Sequence, residues 1–175
     1  MEQAVRIIGI DPGLRVCGYG LIEKCAAGCR LIEGGVFQTV DSAELAVRLS
    51  QVSEDISRLL GRLRPDVAAV EELYSHYVHP KTAILMGHSR GVILARCAEF
   101  GIEVKSFSAT RIKKSLTGNG RATKSQMQRG VQGVLGLSEV PEPNDVADAI
   151  AVALCAAGEK QSWRNQVVAE RAEDL

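Results

Sequence analysis

Apolar residues along the chain follow two rhythms, and the points where one gives way to the other mark out the elements. Val5 to Asp11 (VRIIGID) is a short apolar run that stops at Asp-Pro-Gly, the pattern of a buried strand ending in a turn. A second strand is predicted from Val16 to Glu23, where Gly18 and Gly20 permit close approach of backbone or ligand, and a third from Arg30 to Thr39. Three successive strands with short connections make an antiparallel meander. The rhythm then changes: Leu45, Leu49, Val52, Ile56, Leu59, Leu60 and Leu63 keep the helical period, with Asp41 or Ser42 as the cap and Pro65 as the stop. Asp66 to Glu71 (DVAAVE) reads as a fully apolar fourth strand that runs out into carboxylates. Pro80 to Phe100 is a helix closed by Gly101, and Ile102 to Phe107 a fifth strand. Two shorter helices, Ala109–Leu116 and Thr123–Leu135, flank a Gly-Asn-Gly turn at 118–120. Pro141 and Pro143 break the chain before a last helix, capped by Asn144 and running to about Gly158. The result is an α/β domain over residues 1–158: a five-stranded mixed sheet with helices on both faces, followed by a charged, weakly periodic tail, 159–175, expected to be frayed.

Composition narrows the class. With 175 residues, 46% of them apolar, and 21 basic against 21 acidic groups, the chain has enough apolar surface for one core and no mark of disorder or fibre. The cysteines at 17, 25, 29, 97 and 155 are odd in number and lack C-x-x-C spacing, which suits a reducing cytoplasm better than a disulfide scaffold. The short apolar start before Asp11 is not a signal peptide, and no apolar run approaches the ~20 residues of a membrane span.

The zero net charge conceals a segregation. Val104 to Ser138 holds Lys105, Arg111, Lys113, Lys114, Arg121, Lys124 and Arg129 and no acid, which leaves 14 basic against 21 acidic groups elsewhere. A solvated helix surface usually mixes both signs, so a segment of this density reads as a phosphate-contacting face.

Four acids stand where stability does not ask for them. Asp11 ends the first strand and Glu71 the fourth, while Asp145 and Asp148, three apart in the first turn of the last helix, project from nearly one side. A carboxylate on an apolar strand is costly to bury unless a cation offsets it. Hard oxygen donors from separate elements suit Mg²⁺, and two such ions can cleave a phosphodiester. Singly, each acid has a plainer explanation: Asp11 as the start of a turn, Asp145 as a partner of the helix dipole. Together they favour a metal site.

The opening IGIDPGLRVCGYG, the strand AVEEL with an aromatic after it, the run RIKKSLTGNGRATKSQM and the ending PNDVADAIAVA resemble, in this order from about residue 5 to 157, the RuvC family of Holliday-junction resolvases. The resemblance implies a ribonuclease H-like fold, a homodimer with two active sites, and two Mg²⁺ per subunit, with Mn²⁺ able to take their place. It assigns catalysis and metal binding to Asp11, Glu71 (rather than Glu72), Asp145 and Asp148. It also assigns DNA contact to Lys113 and Lys124, and to Tyr74 as the aromatic that probes the opened junction. Arg111, Lys114 and Arg121 join them as further basic candidates. The implied activity is paired, symmetric nicking of four-way DNA near the crossover, in recombination and repair. RuvA and RuvB, the family's branch-migration proteins, are its implied partners.

The residues add detail of their own. Lys113 and Lys124 can neutralise phosphates, and the Gly118-Asn119-Gly120 turn lets the backbone approach one. Tyr74 and Tyr77 can stack on unpaired bases, although Tyr77 suits core packing equally. Ala83, Gly87, Gly91 and Ala95 recur every four residues in the 80–100 helix. That stripe admits a second subunit or packing within the same one. A Walker loop fails because Thr123 stands where glycine should precede Lys124. An actin-like fold would need two such domains, and a zinc site from His76, His79, His88 and a cysteine lacks paired ligand spacing. Two competitors keep the basic face: a non-catalytic junction-binding protein, and a hydrolase acting on an RNA–DNA hybrid.

Overall fold

The computed structural model describes residues 4–73 and 80–159. Its elements are β1 (Val5–Asp11), β2 (Val16–Cys25), β3 (Gly28–Gln38), α1 (Leu45–Leu63), β4 (Val67–Glu71), α2 (Pro80–Glu99), β5 (Glu103–Phe107), α3 (Ala109–Thr117), α4 (Lys124–Leu135) and α5 (Asn144–Ala157). The five strands form one sheet in the order β3-β2-β1-β4-β5. The first three pair antiparallel as a meander, whereas β4 runs parallel to β1, and β5 parallel to β4. The mixed sheet and its two helical layers are those the apolar pattern predicts.

Alternation along the strands decides which layer each residue joins. Ile8, Ile10, Leu21, Ala68 and Val70 point to one side, where Val52, Ile56 and Leu60 of α1 and Ile93 and Cys97 of α2 cover them. Ile7, Ile22, Val67 and Ala69 point to the other, against α3, α4 and α5. Asp11 and Glu71 lie two residues beyond Gly9 and Ala69, so they share the α5 side. From Val146 to Ala157 every residue of α5 except Asp148 is buried, as expected of a helix that is apolar all round.

That helix can come so close because the sheet beneath it lacks side chains. Gly34, Gly20, Gly9 and Ala69 are cross-strand neighbours, a row of minimal residues over four strands. A Cβ on Gly9 would lie 2.0 Å from the Ala149 carbonyl oxygen, and one on Gly20 2.4 Å from Ile150 Cγ1. At Gly18 it would lie 2.1 Å from the carbonyl oxygen of Asp145. The room that Gly18 and Gly20 leave is thus filled by backbone and by Ile150 of the protein itself.

Two predicted caps differ. Asp41 and Ser42 lie in a turn closed by Ala43 N–H on the Val40 carbonyl, and α1 begins later, with Glu44 at its N-cap and no side-chain bond there. Asp41 instead pairs with Arg15 at 2.9 Å and Arg48 at 3.1 Å. Pro143 holds the N-cap of α5, and Asn144, already helical, accepts a bond from Gln128 of α4 at 2.7 Å. Glu159, assigned by periodicity to the tail, is bonded to Lys105 and Arg111.

The stripe on α2 faces outward: Gly87, Gly91 and Ala95 are exposed, and nothing stands within 4 Å of a Cβ built on Gly91. The opposite face buries Ser89, Ile93 and Cys97. All five cysteines are free, and Cys17, Cys97 and Cys155 are buried as small apolar residues. Among the described residues, no helix is long and apolar enough to cross a membrane.

Gly9→Ala should lower the stability read from urea titration by about 1–3 kcal/mol or more, because backbone rather than a flexible side chain occupies the space. Gly133→Ala, exposed on α4 with nothing near its Cβ, should raise stability by ~0.5–1 kcal/mol. Equal urea midpoints for the two variants would show that the glycine row is not what seats α5.

Candidate active site

Register brings the first two acids together. Ile10 pairs with Val70 in the parallel β1–β4 ladder, so Asp11 and Glu71 follow side by side at the C-terminal ends of these strands. Asp11 also stands opposite Gly18 of β2, against whose bare face the Asp145 backbone rests. One turn on, Asp148 is the half-buried exception on an otherwise buried helix. Glu72 is exposed, and its N–H donates to the Phe107 carbonyl at 2.9 Å, which leaves Glu71 as the inward glutamate.

The electrostatics identify these acids as one cluster. Burial, and then the charges of Asp148 and Asp145, push the Asp11 carboxyl up to about 7, with Lys124 opposing. Burial, Asp11 and Asp148 raise Glu71 to about 7 as well, opposed by Lys113. Asp148 is also raised, chiefly by burial, while Lys124 and Lys113 pull it down. The rise comes first from burial and then from the neighbouring carboxylates, which Lys113 and Lys124 offset only in part.

Lys113 and Lys124 arrive from separate helices. Ser108 caps α3 by accepting the Arg111 N–H, and Lys113 lies one turn further along. Thr123 and Gln126 form a reciprocal capping box at the start of α4, which sets Lys124 as its first residue. Glu71, Asp148, Lys113 and Lys124 line a cleft of about 200 Å³, floored by Ala109, Ile112 and Met127. A second groove of about 520 Å³ reaches Asp145 from the Asp-Pro-Gly side, past Arg15, Arg48 and Thr82.

The donor set fits a hard divalent cation. Among the described residues no three acid, thiol or imidazole groups form a ready-made cage. Mg²⁺ needs none, since one or two carboxylates hold it while it keeps several waters. Ligand spacing disfavours a zinc site; His88 Nδ1 lies 2.8 Å from the Ile84 carbonyl, and His76 and His79 lie outside the described residues.

A sequence profile described as "Crossover junction endodeoxyribonuclease RuvC" matches residues 7–156. The chain belongs to the RuvC family. It is 47% identical to the RuvC of Rhodopirellula baltica over 85% of this chain and 84% of that one. To the RuvC of Caldicellulosiruptor saccharolyticus it is 41% identical, over 86% and 91%. The structure of T. thermophilus RuvC in complex with Holliday junction substrate superposes with a TM-score of 0.81 at 34% identity, covering 87% of this chain and 93% of that one.

Within this RuvC-family chain the remaining candidates separate. Lys114 and Arg121 are exposed along the α3–α4 segment. Arg111 is drawn aside: it pairs with Glu159 and lies 4.9 Å over the Phe107 ring. Tyr74 and Tyr77 lie outside the described residues. The Gly118-Asn119-Gly120 turn serves the chain itself, with Gly118 at φ 75° closing α3 and Thr110 filling the bare side of Gly120. Sequence reasoning missed Arg15 and Arg48, which pair with Asp41 and line the groove that reaches Asp145, and it missed Ser89 and Arg90 of α2. Ser89 Oγ donates to the Gly13 carbonyl at 3.0 Å and Arg90 Nε to the Glu71 carbonyl at 2.9 Å. No local motif marks Ser89 and Arg90, because the carbonyl groups they bind lie far away in sequence.

Because folding raises the pKa of Asp11 and Glu71, the folded state binds more protons than the unfolded one between about pH 4 and 7. Metal-free protein should therefore lose several kcal/mol of stability as pH rises through that window. Urea titrations in EDTA should show Asp11→Asn overtaking wild type above pH 7. Parallel pH curves for the two proteins would contradict a buried, uncompensated carboxylate at Asp11.

Proposed function

We propose that the protein is a structure-selective endonuclease that resolves Holliday junctions by paired, divalent-metal-dependent nicks near the crossover. The observation that carries this reading is the convergence of four carboxylates and two lysines at one end of the sheet, where the lysines offset the acids only in part. Asp11, Glu71, Asp145 and Asp148 are the groups that would hold two Mg²⁺, with Mn²⁺ able to replace it. Those ions, when bound, supply activation of water and neutralisation of the departing 3′ oxygen. The chain's own residues do the rest. Lys113 and Lys124 hold the phosphate over the acids and offset its charge. The apolar floor of Ala109, Ile112 and Met127 excludes bulk water from one side of the cleft. Lys114 and Arg121 extend the positive path along α3 and α4, and Tyr74 is assigned to stacking on an unpaired base.

Four-way DNA is favoured as substrate by the likeness to T. thermophilus RuvC, solved in complex with a Holliday junction, and the α3–α4 cleft supplies basic groups beside the acids. The outward Gly87–Gly91–Ala95 face of α2 supports a homodimer whose two sites cut opposed strands. The free cysteines suit the cytoplasm. RuvA and RuvB, as branch-migration proteins, are the partners this reading proposes.

The deciding experiment offers a labelled mobile junction, a linear duplex and an RNA–DNA hybrid, each with Mg²⁺ or EDTA. Symmetric, ligatable, metal-dependent nicks in the junction alone are expected. Binding without cutting would favour a junction-binding protein, and cutting of the hybrid would overturn the substrate. Asp11→Asn should bind the junction and lose detectable cleavage. Replacing Lys113 and Lys124 by alanine should slow cutting and flatten the salt dependence of binding, by roughly 0.9 in log–log slope for each phosphate left without its lysine. Gly91→Arg, which meets nothing in its own subunit, should sediment as a monomer. If it remains dimeric, α2 is not the interface.

A further inference from the structure

Two consecutive residues of α2 reach the two strand ends that carry acids. Ser89 is fully buried, and its hydroxyl donates to the carbonyl of Gly13, inside the Asp-Pro-Gly turn that follows Asp11. Arg90 donates through Nε to the carbonyl of Glu71 at 2.9 Å and through a terminal nitrogen to Ser106 Oγ at 2.7 Å. The guanidinium therefore binds the main chain of Glu71 and ties it to β5. We propose that Ser89 and Arg90 are positioning residues that fix the spacing of Asp11 and Glu71, and so set the affinity of the site for its divalent cation.

The physical case is one of opposing forces. Asp11 and Glu71 follow the paired Ile10 and Val70 on neighbouring parallel strands, so their carboxylates lie side by side and repel each other. Both sit at strand termini, where the ladder no longer holds the backbone on every side. Without an outside clamp, repulsion would spread the two ends until the metal was bound, and binding would have to draw them together again. A helix that grips both carbonyl groups from beyond the strand ends removes that reorganisation. The partners suit the task. A charged donor to a carbonyl is stronger than a neutral one, and Arg90 spans β4 and β5 with a rigid fork.

This inference rests on the metal-dependent reading of the site, so its first readout is Mg²⁺ binding to DNA-free protein by titration calorimetry. Arg90→Ala should weaken binding roughly 10-fold, the usual scale for groups that orient metal ligands. Ser106→Ala, an exposed change that removes one of Arg90's two partners, should give a smaller loss in the same direction. Arg90→Lys should recover part of the affinity, since an ammonium can satisfy the Glu71 carbonyl alone. Junction cleavage should show a matching rise in the Mg²⁺ needed for half-maximal rate, with KM for junction unmoved. Thermal melts in EDTA identify variants that remain folded; should Arg90→Ala unfold, Arg90→Lys and Ser106→Ala carry the comparison. Folded Arg90 and Ser106 variants that bind Mg²⁺ as wild type does would overturn the proposal. Weakened Mg²⁺ binding in a protein that cuts no junction would uphold the clamp and sink the nuclease reading.

Discussion

The approach of α5 to the sheet is the constraint on which the site depends. A helix over ordinary strands stands off by the length of the side chains between them. Here Gly34, Gly20 and Gly9 remove those side chains along a line, and Ala69 nearly does. The backbone of α5 settles into the gap, and its first turn comes down beside the end of β1, where Gly18 touches Asp145. Asp145 and Asp148 thus meet Asp11 and Glu71 because three glycines on β1 and β2 carry no Cβ. Burying an apolar helix on all sides then supplies the hydrophobic stabilisation that tolerates a repulsive end.

That repulsion is concentrated. The pKa of both strand-end acids is raised by burial and by each other's neighbours, while two lysines oppose the effect. A fold selected for stability alone would place apolar or neutral groups there. Conflict of this kind, held in place by well-packed surroundings, marks a functional site and supports the proposed reading of these acids as cation ligands.

The helix α2 divides its work between two faces. Its inner side packs Ile93 and Cys97 into the core and sends Ser89 and Arg90 to the strand ends. The outer side is bare, with Gly87, Gly91 and Ala95 exposed and Ile84 61% accessible. The same helix therefore links an exposed face of small residues with the backbone that carries the acids. The chain's neutral total charge hides a similar division, because α3 and α4 bring basic groups to a site lined with acids.

Much of this was legible in the sequence, for reasons that are local. Strand alternation and helical period depend on residues a few positions apart, so the elements, the mixed sheet and its two layers follow from the order of apolar positions. Asp11, Glu71, Asp145 and Asp148 stood out because each breaks an apolar pattern, and the 104–138 segment because it carries one sign; Lys113 and Lys124 were picked out of it by the resemblance to the RuvC family. What tertiary structure alone decided involves partners distant along the chain. Asp41 looked like a helix cap until folding offered it Arg15 and Arg48, and Asn144 until Gln128 came within reach. Arg111 looked free until Glu159 was folded back beside it. Gly9 gave no signal of its own, since what it admits, the carbonyl of Ala149, lies 140 residues away. Sequence records which side chains are present and at what period; only the closed fold determines which main-chain atoms they will meet.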